Sequence, residues 1–341
     1  MQEKNNNPMT DHNVGLTSAE IANLWGAYIG NSMAVCFLKY FVFHAEDREI
    51  KEVLEYALSL SIDYVDTVAE IMNHEKFPIP VGFTDADVNL EAPRLYSDIF
   101  FLNYLHQTTK SGFSLYTVAL PNIARSDVRD FMSKCIISLT ELYNKVAEVS
   151  LSKGLFMRPP FIEVPEAVEF VQNPHFLAGF FGDKRAINVL EITHIFSNIQ
   201  SNMMGKALIT GFAQVAQSAE IRDYFSRGKD ISSTHIKNFS SVLEKENLPV
   251  PTLWDSSVMK STTPPFSDKI MLYHINGMNA LSTFNYGAGL SGSQRHDIHV
   301  LYGKLIAQVG VYGEIGARMM IDNRFMEQTP LSPNRDLLIK K

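Results

Sequence analysis

Adding 171 to a residue number in the first half of this 341-residue chain repeatedly lands on a residue of the same kind in the second half. Glu20 falls on Glu191, Asn31 on Asn202, Phe41 on Phe212, Glu49-Ile50 on Glu220-Ile221, Pro78-x-Pro80 on Pro249-x-Pro251 and Phe83 on Trp254. One residue is then lost and the offset becomes 170. Ser97-Asp98 falls on Ser267-Asp268, Tyr116 on Tyr286, Arg125-x-Asp127 on Arg295-x-Asp297, Lys134 on Lys304, Ala147 on Ala317 and Pro160 on Pro330. A register held this long with one slip marks an internal duplication, so one unit is built twice. The length agrees, because a single core stops growing near roughly 250–300 residues.

Each copy reads as four helices. In the first copy they run from Ser18 to about His44, Asp47 to about Glu75, Asp98 to about Asn122 and Asp127 to about Lys153. Apolar stripes at helical spacing carry this reading: Ile21, Leu24, Trp25 and Tyr28 on the first, and Ile50, Leu54, Ala57, Leu58 and Ile62 on the second. Pro78-x-Pro80 stops the second helix, since proline cannot continue one. The second copy repeats the pattern from Val189 to about Asn323. The link between the second and third helices is roughly twenty residues, whereas neighbours in a simple up-down bundle are joined by about 2–8. A link that long can cross the whole bundle and make those two helices parallel, the ferritin-like connectivity.

The expected fold is therefore all-α: two tandem ferritin-like four-helix bundles related by internal duplication. The expected limits are a disordered N-terminus at 1–13, a first bundle at 14–156, a connector at 157–187, a second bundle at 188–330 and a tail at 331–341. The connector holds Phe161, Phe170, Phe176, Phe180 and Phe181 among four prolines, an aromatic area expected to pack along the bundles rather than face water.

The net charge of −7 is spread along the chain, without the basic stripe that nucleic acid binding requires, so no nucleic acid partner is expected. Cys36 and Cys135 each sit among apolar residues and read as buried thiols, too few for a disulfide framework. The polar, Asn-rich start lacks the order of a signal peptide. The most apolar run, Ala34 to Phe43, is broken by Lys39 and falls short of the ~20 apolar residues of a membrane span. A cytoplasmic protein with no membrane partner is the expectation.

A bundle of this kind raises the question of metal. The carboxylate-bridged site takes a Glu from each of two helices and Glu-x-x-His from each of the other two. Only His194 has a Glu three residues before it, Glu191. The spacings Thr17 to Glu20 and Asn188 to Glu191 are also those of a capping box, which explains why both copies keep the Glu. Asp98, Asp127, Asp268 and Asp297 likewise read as helix-start acids favoured by the macrodipole. Arg125 and Arg295 are placed to pair with those acids, or with Glu20 and Glu191 across the bundle end. The second copy has His194, His235, His274, His296 and His299 where the first has Asn23, Tyr64, Tyr104, Ser126 and Arg129. Imidazoles ligate iron, zinc or copper. The metal expectation is one iron or manganese site in the second bundle, around Glu191, His194, His235 and His274.

Asn31 and Asn202 sit mid-helix, where asparagine has no propensity reason to be. They read as hydrogen-bonded core positions, or as residues that orient a ligand in a cavity. Gly310, Gly313 and Gly316 recur on the last helix at about 1 kcal/mol each against alanine, which points to close approach of another helix, with a ligand cavity or subunit contact as the alternative. No phosphate-cradling glycine loop, nucleophile elbow or zinc pattern is present in the sequence.

Several segments carry a family resemblance. In the first copy they are Leu16-Thr-Ser-Ala-Glu20-Ile-x-x-Leu24-Trp25, Phe77-Pro-Ile-Pro80-x-Gly82-Phe83-Thr84, Asp87-Val-Asn89 and Lys153-Gly154. In the second they are Gly205-Lys206-Ala207-Leu208, Gly211-Phe212-Ala-Gln214-Val-Ala216 and Pro264-Pro265-Phe266-Ser267-Asp268-Lys269. Across nearly its whole length the chain resembles a domain-of-unknown-function family of endospore-forming bacteria, with duplicated ferritin-like bundles and a spore-coat-like label. The resemblance implies association with sporulating cells and brings no catalytic residues. The expectation is a non-enzymatic structural or binding protein, partnered by further copies of itself or by spore-coat proteins. The alternatives are a metal-dependent oxidase or oxygenase and a carrier of an apolar small ligand.

Overall fold

A computed structural model describes residues 14–180, 184–252 and 254–339; the expected N-terminal tail at 1–13 lies outside them. Among the described residues eight long helices form: α1 (Ser18–His44), α2 (Arg48–His74), α3 (Asp98–Ala119), α4 (Ser126–Ser152), α5 (Val189–Val215), α6 (Ala219–Lys245), α7 (Asp268–Gly292) and α8 (His296–Asp322). The two expected capping boxes form. Thr17 with Glu20 and Asn188 with Glu191 close full capping boxes, and Asp47, Ser97, Ser218 and Ser267 cap α2, α3, α6 and α7.

Contacts at the helix ends fix the connectivity. Asp98, at the start of α3, accepts from the backbone N–H of Asp47 at 2.8 Å, so α2 and α3 begin at the same end and run parallel. Glu20, at the start of α1, accepts from the N–H groups of Ala124 and Arg125 just before α4. In the second copy Asp268 does the same for Gln217 and Ser218, and Glu191 for Gln294 and Arg295. The long links after α2 and α6 therefore return along the bundle, as their length requires.

The two crossover links also pair with each other, in symmetric fashion. Val88 bridges Phe266 while Tyr96 bridges Val258. Asn89 N–H donates to Pro265 and Met259 N–H to Leu95, both at 2.8 Å; Ser97 N–H donates to Ser257 and Ser267 N–H to Asp87. In each pair of contacts one follows from the other by adding 170 to one partner and subtracting it from the other. The chain is thus a pseudo-dimer within one polypeptide, its twofold axis passing between the links. Phe37 of α1 packs on Phe266, Phe212 and His274 of the second copy, and the Tyr96 hydroxyl donates to the Leu208 carbonyl at 2.7 Å. Each bundle keeps an apolar cluster at its far end, around Leu24 and Phe131 or around Ile195 and Tyr302, but the largest cluster is continuous across both copies. Gly82 takes φ +61° in the first link, where a Cβ would lie 2.5 Å from Ser32 Oγ; only glycine fits that approach.

Two expectations are corrected. The middle of the connector does not pack along the bundles, with Phe161 84% exposed, Val164 88%, Val168 90% and Phe170 85%, whereas its ends do, through Met157 and Ile187. Its proline spacing leaves residues 159–173 without regular structure, so there is no face on which its apolar residues, separated by Glu163, Glu166 and Glu169, could be gathered. Only Phe176 is sheltered, with the Arg185 guanidinium 4.1 Å above its ring, and Phe181 lies outside the described residues. Second, α1 is by length and composition apolar enough to cross a membrane, although its Lys39-broken core is not. In the fold it is a bundle helix, with Leu24, Phe37, Tyr40 and Phe41 fully buried. Cys36 and Cys135 are free buried thiols, and burial pushes both up to about 12.

Candidate functional site

The centre of the second bundle holds the polar residues that a ligand would meet. Asn202 on α5 donates from Nδ2 to the Asn198 carbonyl one turn back (2.8 Å) and to the Tyr286 hydroxyl on α7 (2.7 Å). That hydroxyl lies 2.9 Å from Nδ1 of His235 on α6, whose Nε2 lies 3.1 Å from Oε1 of Gln308 on α8. With Gln308 accepting, Nε2 carries the ring proton and Nδ1 is an acceptor; the one Tyr286 hydroxyl proton is shared between Nδ1 and Asn202 Oδ1 at 3.1 Å, and the network from Asn202 through Tyr286 and His235 to Gln308 ties together all four helices. Burial lowers His235 and raises Tyr286, leaving both neutral near pH 7. The first bundle keeps half of this chain: Asn31 Nδ2 donates to the Ala27 carbonyl (2.7 Å) and to Tyr116 (3.0 Å), while Tyr64 stands where His235 does.

Beside His235 and Asn202 lies a cavity of about 40 Å³, lined also by Gly205, Gly228, Ser232 and Asn279. It has room for a few waters, each needing roughly 10–15 Å³ by this measure. Small-molecule sites run to several hundred Å³, roughly 300–1,000. The glycines on α8 divide. A Cβ at Gly316 would meet Tyr224 and Asn276, and one at Gly313 would touch Asn279, whereas Gly310 faces open space. Close approach therefore explains two of the three, and side chains rather than another backbone make it.

The four residues expected to share a metal are not brought together. Glu191 is fully buried at the bundle end, three turns and about 16 Å of helix from Asn202. Its two oxygens receive five donors: Arg185 twice at 2.8 Å, and the N–H groups of Asn188, Gln294 and Arg295 at 2.9–3.0 Å. A carboxylate has about four lone-pair positions, so none is left for an ion. Burial alone would raise its pKa, but these donors win and hold it at about 2. His194 lies against Gly292, whose Cβ would come within 2.8 Å of its Nε2. His235 is engaged as described, and His274 lies at the seam between the bundles, its Nε2 3.3 Å from the Tyr104 hydroxyl. Among the described residues no group of three or more His, Cys, Asp or Glu is placed to hold a metal. The physical reason is that Glu191 works as a clamp, closing its own helix and holding the start of α8.

Sequence reasoning missed Tyr286 and Gln308. For Tyr286 a signal existed, because the repeat pairs Tyr116 with Tyr286 just as it pairs Asn31 with Asn202. Gln308 carried none.

Comparison with known proteins agrees with the duplication. No curated protein matches the chain. Among solved structures, one from Bacillus halodurans, proposed to be a spore coat protein, is similar at 16% identity and a TM-score of 0.40, over 44% of this chain and 98% of its own. So distant a likeness carries no functional argument. A family model, protein of unknown function DUF3231, matches twice, at residues 5–168 and 175–338. The chain, matched over nearly all its length by two successive copies of one model, belongs to the DUF3231 family of proteins of unknown function.

Proposed function

We propose that this protein is a non-enzymatic structural component that assembles with further copies of itself through its surface, with the spore association its spore-coat-like resemblance implies. The observation that carries this reading is the connector. Phe161, Val164, Val168 and Phe170 stand in solvent beside two bundles whose crossover links pair with each other. These are large apolar side chains that the chain does not cover itself, and a second copy offers the surface to bury them. The interior supports the same reading, since its polar groups serve caps and cross-helix ties.

The test is sedimentation velocity of the full chain over a range of concentrations, beside a variant with Phe161, Val164, Val168 and Phe170 all replaced by serine. The native chain should associate as concentration rises. The variant should stay small and melt at the same temperature. A native chain that stays monomeric, or a variant that melts many degrees lower, removes the reading; the second result would mean that the connector packs on the bundles.

A further inference from the structure

Where α3 of the first bundle crosses α5 of the second, the seam is polar. Gln107 and Lys110 lie on one face of α3, and His194, Ser197 and Ser201 on one face of α5, at helical spacing in both cases. Ser201 Oγ donates to Gln107 Oε1 at 3.2 Å, and the Lys110 ammonium donates to Ser197 Oγ. Two features of this cluster are unfinished. Gln107 is only 4% exposed, yet its Nε2 has no acceptor among the described residues. Lys110 is half-buried, and the Ser197 hydroxyl is its polar partner where a carboxylate would be expected. Burial lowers Lys110, and burial together with the nearby Lys110 charge lowers His194 and His106.

The pseudo-twofold axis provides an internal control. At the counterpart positions on α7 and α1, Gln107, Lys110, Ser197 and Ser201 are replaced by Gly277, Ala280, Gly26 and Gly30. A Cβ added at Gly26, Gly30 or Gly277 would meet nothing within 4 Å, so the duplicated fold stands with those positions unpacked and the polar set is not something the architecture needs. What the set offers is an excess of donors around a partly desolvated positive charge. Lys110 has three N–H groups with one engaged, and the Gln107 amide has two with none engaged. A buried donor without an acceptor and an ammonium without a counterion are both unfavourable until an anion meets them.

We propose that the seam between α3 and α5 is a binding site for a small oxyanion, a phosphate or a carboxylate, held by Lys110 Nζ, Gln107 Nε2 and the Ser197 hydroxyl. The site is independent of the assembly role proposed for the connector. It lies between the bundles, so occupancy would also tighten the junction of the two copies.

The test is calorimetric titration of the full chain at pH 7 and fixed ionic strength, with inorganic phosphate and acetate in separate arms against chloride. One of the two anions should bind at a single site per chain, and the arm that responds identifies the class. Lys110→Met should weaken that binding at least tenfold, and Gln107→Leu at least threefold. Lys51→Met, on the surface of α2, should change nothing. Gln107→Leu removes an amide nitrogen that has no partner, so it keeps the test open if Lys110→Met does not fold. No binding of either anion, or binding unchanged in the folded variants, would overturn the proposal.

Discussion

The Tyr104 hydroxyl lies 3.3 Å from Nε2 of His274, the residue 170 positions further on that occupies the same place in the second copy. Two counterpart residues can face each other only on the axis that relates the copies. Around them Phe37, Phe212 and Phe266 close an aromatic cluster drawn from both halves. The duplication has therefore diverged at its own centre, where a tyrosine on one side now meets an imidazole on the other.

That imidazole should make stability depend on pH. Burial lowers His274 to about 3, whereas an unfolded histidine titrates near 6.5. With the folded value below the unfolded one, the unfolded chain takes up the extra proton first as pH falls. The contribution is complete above about pH 6.5 and is lost progressively towards about 3, at roughly 1.4 kcal/mol per pH unit. His235 shifts in the same direction, also through burial. Urea unfolding at pH 7 and pH 5.5 should show the native chain losing stability, and His274→Phe losing less by about one proton's worth. Equal losses in the two proteins would remove His274 from the account.

The two clamps should differ in strength. Glu191→Gln takes one partner from a buried, bidentate pair with Arg185 and should cost about 3–5 kcal/mol. Glu20 has backbone and hydroxyl donors but no arginine on its carboxylate, so Glu20→Gln should cost roughly 1–3 kcal/mol. Chemical denaturation of both variants at pH 7 measures the difference. A common loss would mean that Arg185 contributes nothing.

The asparagine–tyrosine tie should show as coupling. A double-mutant cycle on Asn202→Ala and Tyr286→Phe should give an interaction of about 0.5–3 kcal/mol, because each residue uses the other as a buried partner. The cycle on Asn31→Ala and Tyr116→Phe should give the same sign, over a contact of 3.0 Å. Strict additivity in both would show that the contacts do not hold the helices.

Glycines inside helices should divide by what faces them. Gly228→Ala would place a Cβ 2.1 Å from the Tyr312 hydroxyl and 2.4 Å from Ile209 Cδ1, so it should destabilise by about 1–3 kcal/mol. Gly310→Ala meets open space on α8 and should stabilise by up to about 1 kcal/mol. Thermal melts of the pair report the two signs, and a gain at Gly228 would mean that Tyr312 moves aside freely.

Much of the fold could be read from residue order. The start of α1 at Ser18, its end at His44 and the capping boxes at Thr17 and Asn188 all stand in the structure where pattern placed them. Pattern places the end of the third helix at about Asn122, whereas the α-helix stops at Ala119 and a 3-10 turn, with Pro121 inside it, finishes the segment. The site was less legible. Glu191 and His194 fit a metal spacing along one helix, but Arg185 and the backbone before α8 claim the carboxylate from outside it. The connector misled for a related reason: its aromatic content gives area to bury but no surface to bury it on.

The sequence alone determined that one four-helix unit occurs twice, where its helices start, and that Asn31 and Asn202 are counterparts within it. Those are local matters, settled by caps, prolines and side-chain period within a few residues. Only the tertiary structure decided that the crossover links exchange pairings, that Tyr104 meets His274, and that Lys110 faces Ser197 without a carboxylate. Such relations join positions some 85 to 180 residues apart, and no periodicity within a helix records which outer face a second bundle will cover.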